Sequence, residues 1–141
     1  MQVDYAFLCD YADTSGNKVN ALGIGFDVVY SRQMPFKHRQ FYLVVQLRAS
    51  VTEAGQKQAE IHLIDQDGNS VIPKITGGVN IPKTPGKTYT TGRFIMGFGN
   101  VQFKNYGTYS VRFTMQGIEQ VNIPFEVRKR QETETDQGSG Q

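Results

Sequence analysis

Tyr109-Ser110-Val111-Arg112-Phe113-Thr114-Met115 places an apolar residue at every second position. A strand sends successive side chains to opposite faces, so this pattern gives one buried and one wetted face. After a turn at Gly117 the alternation resumes, with Val121, Ile123, Phe125 and Val127 set against Asn122, Pro124, Glu126 and Arg128. Two such runs around a glycine turn predict an antiparallel hairpin. Just upstream, Asn105-Tyr106-Gly107-Thr108 opens the hairpin with a glycine two positions before Tyr109. In immunoglobulin-type sandwiches a tyrosine here turns the corner between sheets, its hydroxyl bonding to upstream backbone. Tyr109 is read as that structural corner residue.

The same period extends upstream. Arg93 to Phe103 carries Phe94, Met96 and Phe98 in phase and Val101 and Phe103 out of phase, which predicts a bulge near Gly99-Asn100. Gln40 to Ser50 sets Phe41, Leu43, Val45 and Leu47 inward, and Ala59, Ile61 and Leu63 alternate with Glu60 and His62. Asp65-Gln66-Asp67-Gly68-Asn69 is a tight turn, because Gly and Asn accept positive φ. Val71 and Ile72 are expected to begin a short fifth strand. Pro73 to Gly92 is irregular, with Val79 and Ile81 as a short edge strand, where proline is tolerated.

Val3 to Ala12 is apolar on both faces, as in a strand buried on both sides. The turn formers Asp13 to Asn17 follow, and Lys18 to Tyr30 is expected to return as its hairpin partner. Within that run, Gly23 and Gly25 leave room for close approach. Ser31 to Arg39 then forms a loop. The prediction is an all-β, antiparallel two-sheet sandwich, immunoglobulin-like, with eight or nine strands over residues 1–130. Residues 131–141 contain no apolar side chain and are expected to be a flexible acidic and polar tail.

Composition agrees. Fifteen Gly, nine Phe and seven Tyr in 141 residues suit Gly-punctuated strands, and no window shows helical periodicity. Up to Arg130 there are fifteen Lys and Arg against ten acids; the other three acids lie in the tail. This surplus falls short of the dense basic stripe of a nucleic-acid footprint, so no nucleic-acid partner is expected. Arg128-Lys129-Arg130 is read as a solvated strand end. The single cysteine, Cys9, excludes an intrachain disulfide and suits a reducing compartment. No leader segment and no apolar run of membrane-spanning length are seen, so a cytoplasmic location without membrane insertion is expected.

Reactive constellations are sparse. Asp65 and Asp67 share one turn, the pattern by which Asp-x-Asp loops hold calcium. If consecutive strands alternate direction, that turn shares an end of the sandwich with Arg32, Lys37 and Arg39. The expectation is an ion-pair cluster more than a metal site. His38 and His62 lack convergent partners in the sequence, and Cys9 reads as a small core residue. No cofactor, metal or catalytic residue is assigned.

Val3-Asp4-Tyr5-Ala6-Phe7-Leu8-Cys9-Asp10, the Gly16-Asn17-Lys18 turn and Leu22-Gly23-Ile24-Gly25 carry a resemblance, together with Leu63 to Gly68, Gly107-Thr108-Tyr109 and Ile123 to Val127. The chain resembles, over residues 3–127, a family of small uncharacterised bacterial proteins that open on V-D-Y-A-x-L-A-D and are classed as a domain of unknown function. Cys9 stands where that family has a small residue such as Ala. The resemblance implies a β-sandwich fold and a bacterial origin, and it transfers no activity. The expected function is a non-catalytic module for interaction or assembly, its partner another protein or a second copy. The alternative is a small-ligand or ion-binding sandwich using the 31–39 loop and the 65–69 turn.

Overall fold

Period-two patterning is realised as strands almost everywhere it occurs. The computed structural model describes residues 1–131 and, among them, holds ten strands, one short 3-10 turn at Val51–Glu53 and no α-helix. The strands are β1 (Gln2–Cys9), β2 (Tyr11–Ser15), β3 (Lys18–Leu22), β4 (Val28–Ser31), β5 (Phe36–Ser50), β6 (Gly55–Asp65), β7 (Ile75–Ile81), β8 (Tyr89–Phe103), β9 (Gly107–Met115) and β10 (Ile118–Lys129). They form a three-stranded sheet, β1-β5-β8, a five-stranded sheet, β4-β10-β9-β6-β7, and the separate hairpin β2-β3. All but the first residue of the expected tail lies outside the described residues.

The two larger sheets share one apolar core. Leu43, Val45 and Leu47 of β5 are buried with Ile61 and Leu63 of β6 and Val111 and Phe113 of β9. Aromatic pairs cross between the sheets: Phe94 with Phe113 at 5.2 Å, Phe103 with Tyr109 at 4.9 Å and Phe41 with Phe125 at 6.1 Å between ring centroids. Such pairs add about 0.5–1.5 kcal/mol each beyond the area they bury.

Six expectations are corrected. The strands number ten, not eight or nine, because the two opening runs are each broken into separate strands. Ser31 to Arg39 is a loop only in its first half, since β5 begins at Phe36 and takes in Lys37 and Arg39. The opening segments do not form one long hairpin. Val3 to Ala12 is broken at exposed Asp10: β1 pairs with β5, and only β2 pairs with β3. Lys18 to Tyr30 is broken too, because Gly23 (φ 67°) and Gly25 (φ 80°) take left-handed conformations that a strand cannot hold. Backbone bonds from Asp10 N–H to the Leu22 carbonyl (2.9 Å) and from Gly25 N–H to the Leu8 carbonyl (2.7 Å) fix this crossing. A Cβ on Gly23 would strike the Asp10 carboxylate.

Pairing is also not antiparallel throughout. β4 runs parallel to β10, Val28 opposite Glu126 through Ser31 opposite Lys129. The bulge at Gly99-Asn100 is absent as a register shift: β5 and β8 stay aligned from Phe36 opposite Phe103 to Ser50 opposite Tyr89. The phase change itself is real. Asn100 adopts φ 52°, and β5 changes phase at the same level, from His38 to Phe41, so the offsets cancel. Finally, Val71 and Ile72 form no strand; half-buried, they pack against the end of the core. Apolar residues there reflect burial without a ladder.

Phe113→Ala empties a fully buried ring site and is expected to cost ~3–5 kcal/mol in urea unfolding. Ile118→Ala, at a side chain 65% exposed, is expected to cost no more than ~0.5 kcal/mol. Equal losses would contradict the placement of the core.

Candidate functional site

The parallel ladder brings Arg32 and Arg130 to one end of the domain. β4 and β10 end side by side, and Arg130 N–H donates to the Ser31 carbonyl at 2.8 Å. Arg32 follows the end of β4 there, and Lys37 and Arg39 lie near the start of β5. With Arg130 they line a cleft of about 730 Å³ that also includes Tyr30, Ser31 and His38, with Asp10 the one acid on its rim. Asp65 and Asp67 lie elsewhere. Among the described residues no ion pair joins them to Arg32, Lys37 or Arg39, so the expected cluster does not form.

Asp65 is engaged within its own turn. Asp65 Oδ1 accepts backbone N–H bonds from Asp67 and Asn69, both at 2.9 Å, and Gly68 takes φ 83°. The carboxylate is spent on holding the hairpin loop, as Asx turns do. Tyr106 links the two regions: its hydroxyl donates to the Ser31 carbonyl at 3.1 Å, and its side chain lines a small recess with Asp65 and Asp67. Tyr109 is buried, and its hydroxyl donates to the Asn105 carbonyl at 2.5 Å. Burial pushes its pKa up, which keeps the donor proton in place.

Cys9 is fully buried, and its Sγ–H points at the Tyr11 carbonyl at 3.5 Å. Burial, with Asp10 nearby, pushes its pKa up and holds it as an unreactive thiol. His38 is half-buried between Phe36 and Phe41, at 5.9 and 5.6 Å between ring centroids. Burial lowers its pKa, and the Asp10 charge opposes that shift. His62 sits on β6, in the other sheet, with Nε2 3.3 Å from Glu60 Oε1. Among the described residues no three of His, Cys, Asp and Glu converge.

A second site was not anticipated. The β2-β3 hairpin folds over the outer face of the three-stranded sheet, where Cys9, Ala12 and Val44 form a small separate core. Tyr5 stacks on Phe7 at 5.8 Å, and Tyr11 meets Tyr42 edge-on at 5.2 Å. Beside them opens a groove of about 710 Å³ lined mainly by Tyr5, Phe7, Tyr11, Val19, Leu22 and Ile24, with Asp13 and Asn20, hydrogen-bonded to each other at 3.2 Å, also in its wall. Of the seven large apolar side chains exposed among the described residues, three gather here: Tyr11 at 41%, Leu22 at 68% and Ile24 at 59%. The signal in the sequence is the doubly apolar Val3 to Ala12, which needs an apolar neighbour on its outer face as well as its inner one.

These features define an all-β domain with a cationic cleft at one end and an apolar groove on an outer face. A family model described as a family of unknown function (DUF6941) matches residues 4–128, and the chain belongs to that family. No curated protein matches. Among solved structures, the chain is similar to the Pseudomonas fluorescens alkylpurine DNA glycosylase AlkC bound to DNA containing an abasic site analog, at 14% identity and a TM-score of 0.39. That similarity covers 72% of this chain and 28% of that one.

Tyr109→Phe is expected to cost ~1 kcal/mol in denaturant unfolding, by orphaning the Asn105 carbonyl; an unchanged midpoint would argue against the bond. His38 is expected to titrate below its ordinary value of about 6.5 when its ring protons are followed by NMR. Because its folded pKa is depressed, the unfolded chain binds the proton first as pH falls. Its share of stability is therefore complete above about 6.5 and lost on acidification through the folded value. A midpoint at or above 6.5 would contradict this direction and show the Asp10 charge outweighing burial.

Proposed function

We propose that the chain is a non-catalytic protein-interaction module, an immunoglobulin-like sandwich that receives an extended apolar segment of a partner protein. The observation that carries this reading is the clustering of Tyr11, Leu22 and Ile24 around the groove beside β1. Soluble proteins scatter exposed apolar side chains singly, and a contiguous group of them marks a contact surface. The adjoining strand offers backbone as well. β1 is a sheet edge, and its Leu8 carbonyl is turned outward to accept from Gly25. By strand alternation Ala6 also turns its N–H and C=O outward.

The rest of the edge is guarded. The register shifts between Val3 and Tyr5, and Asp4 at that point pairs with Arg48 at 3.1 Å. Bulges and charges of this kind discourage open-ended strand addition. A partner therefore gains a short stretch of pairing near Ala6 and takes most of its affinity from side chains set into the groove. An extended segment fits these dimensions better than a broad globular face.

Leu22→Glu combined with Ile24→Glu changes two exposed positions and is expected to leave folding intact. In affinity capture followed by native mass spectrometry, the unmodified chain is expected to retain a bound polypeptide that the double variant loses by ~10-fold or more. Retention of the same species by both proteins, or by neither, would sink the proposal.

A further inference from the structure

The arginines divide sharply by place. Outside the basic cleft each has a partner: Arg48 pairs with Asp4 at 3.1 Å, Arg112 with Glu119 at 3.7 Å and Arg128 with Glu126 at 2.8 Å. Arg93 donates to Gln46 Oε1 at 2.8 Å. Inside the cleft Arg32, Arg39 and Arg130 have no acid within ion-pair distance among the described residues, and neither has Lys37. Among the described residues, the surface that matches its other arginines one by one leaves these four cations without an acid partner around a single concavity.

Their grouping is built into the fold. The β4–β10 ladder ends with Tyr30 opposite Arg128 and Ser31 opposite Lys129, and Arg32 and Arg130 are the residues that leave it, both lining the cleft. Like charges gathered around one concavity repel one another. Arg39 and Lys37 approach from β5, an element of the other sheet. Asp10, on the rim, supplies one negative charge against four positive ones.

We propose that this cleft binds a small multivalent oxyanion, held by Arg32 and Arg130 with Lys37 and Arg39 closing over it. Guanidinium groups meet phosphate or carboxylate oxygens through two parallel N–H donors, and a lysine adds a mobile point charge. A ligand with one negative charge leaves most of the repulsion in place, whereas a diphosphate or a tricarboxylate removes it. At about 730 Å³ the cleft has room for either. This site is separate from the apolar groove, and its failure would leave the proposed partner surface untouched.

The test is calorimetric titration of the full chain with inorganic pyrophosphate and, separately, with citrate, at constant ionic strength held by sodium chloride. Saturable binding of at least one anion is expected, weakened ~10-fold or more by Arg32→Gln with Arg130→Gln. Arg112→Gln, at a paired arginine outside the cleft, is expected to change the affinity less than ~2-fold. Stronger binding of pyrophosphate assigns the ligand as a phosphate, and stronger binding of citrate assigns a carboxylate. No saturable binding of either anion, or equal weakening by Arg112→Gln, would overturn the proposal. Far-UV circular dichroism shows that each variant is folded before it is titrated.

Discussion

Val28–Ser31 does not pair with a sequence neighbour; it lies parallel to Glu126–Lys129, almost a hundred residues away. Parallel pairs need a long connection between their strands, and here that connection is nearly the whole domain. The consequence runs backwards along the chain. To lay β4 against β10, the polypeptide must pass from the β2-β3 hairpin into the five-stranded sheet, and residues Gly23 to Asp27 make the crossing. Left-handed Gly23 and Gly25 are the positions where no side chain could serve as well.

Both candidate surfaces flank that crossing. Because the chain leaves the β1–β5 ladder at Asp10, the β2-β3 hairpin folds over the outer face, burying Cys9, Ala12 and Val44 while leaving Tyr11, Leu22 and Ile24 at the rim of a groove. At the far end of β4 the parallel pairing aligns Ser31 with Lys129 and brings Arg32 and Arg130 together. The crossing also feeds the main core: Val29 of β4 is buried in it, and Phe26 of the crossing meets Phe41 and Phe125 edge-on at 5.9 and 6.0 Å between ring centroids.

What was legible in the sequence follows the range of the interactions. Strands β6, β9 and β10 could be read because alternation is local, and the Asp65–Asn69 turn because its residues satisfy one another. Tyr109 is signalled by the Gly107 that precedes it, and its hydroxyl bond spans only four residues. Cys9 reads as buried from its apolar neighbours. The break at Asp10 could not be read, because Val3 to Ala12 keeps a strand pattern straight through it; only backbone bonds to Leu22 and Gly25 show that the ladder changes partner. The phase change at Asn100 was visible, but its match on β5 depends on which strand lies alongside. Arg130 was seen as part of a basic run and not as a cleft residue, because its neighbour Arg32 is set by the parallel ladder. The apolar groove depends on the break at Asp10, which turns the β2-β3 hairpin over the outer face, and the strand pattern runs straight through that break.

The account stands on the parallel ladder, and backbone NOEs test it most directly. With uniformly labelled protein, the prediction is contacts between Hα and amide protons linking Val28–Ser31 to Glu126–Lys129 in parallel register, with none between Val3–Leu8 and Gly23–Tyr30 beyond the Leu8–Gly25 crossing. A series of close Hα–Hα contacts pairing Val3–Ala12 with Lys18–Tyr30 along their full length would contradict it, and with it the origin of both surfaces.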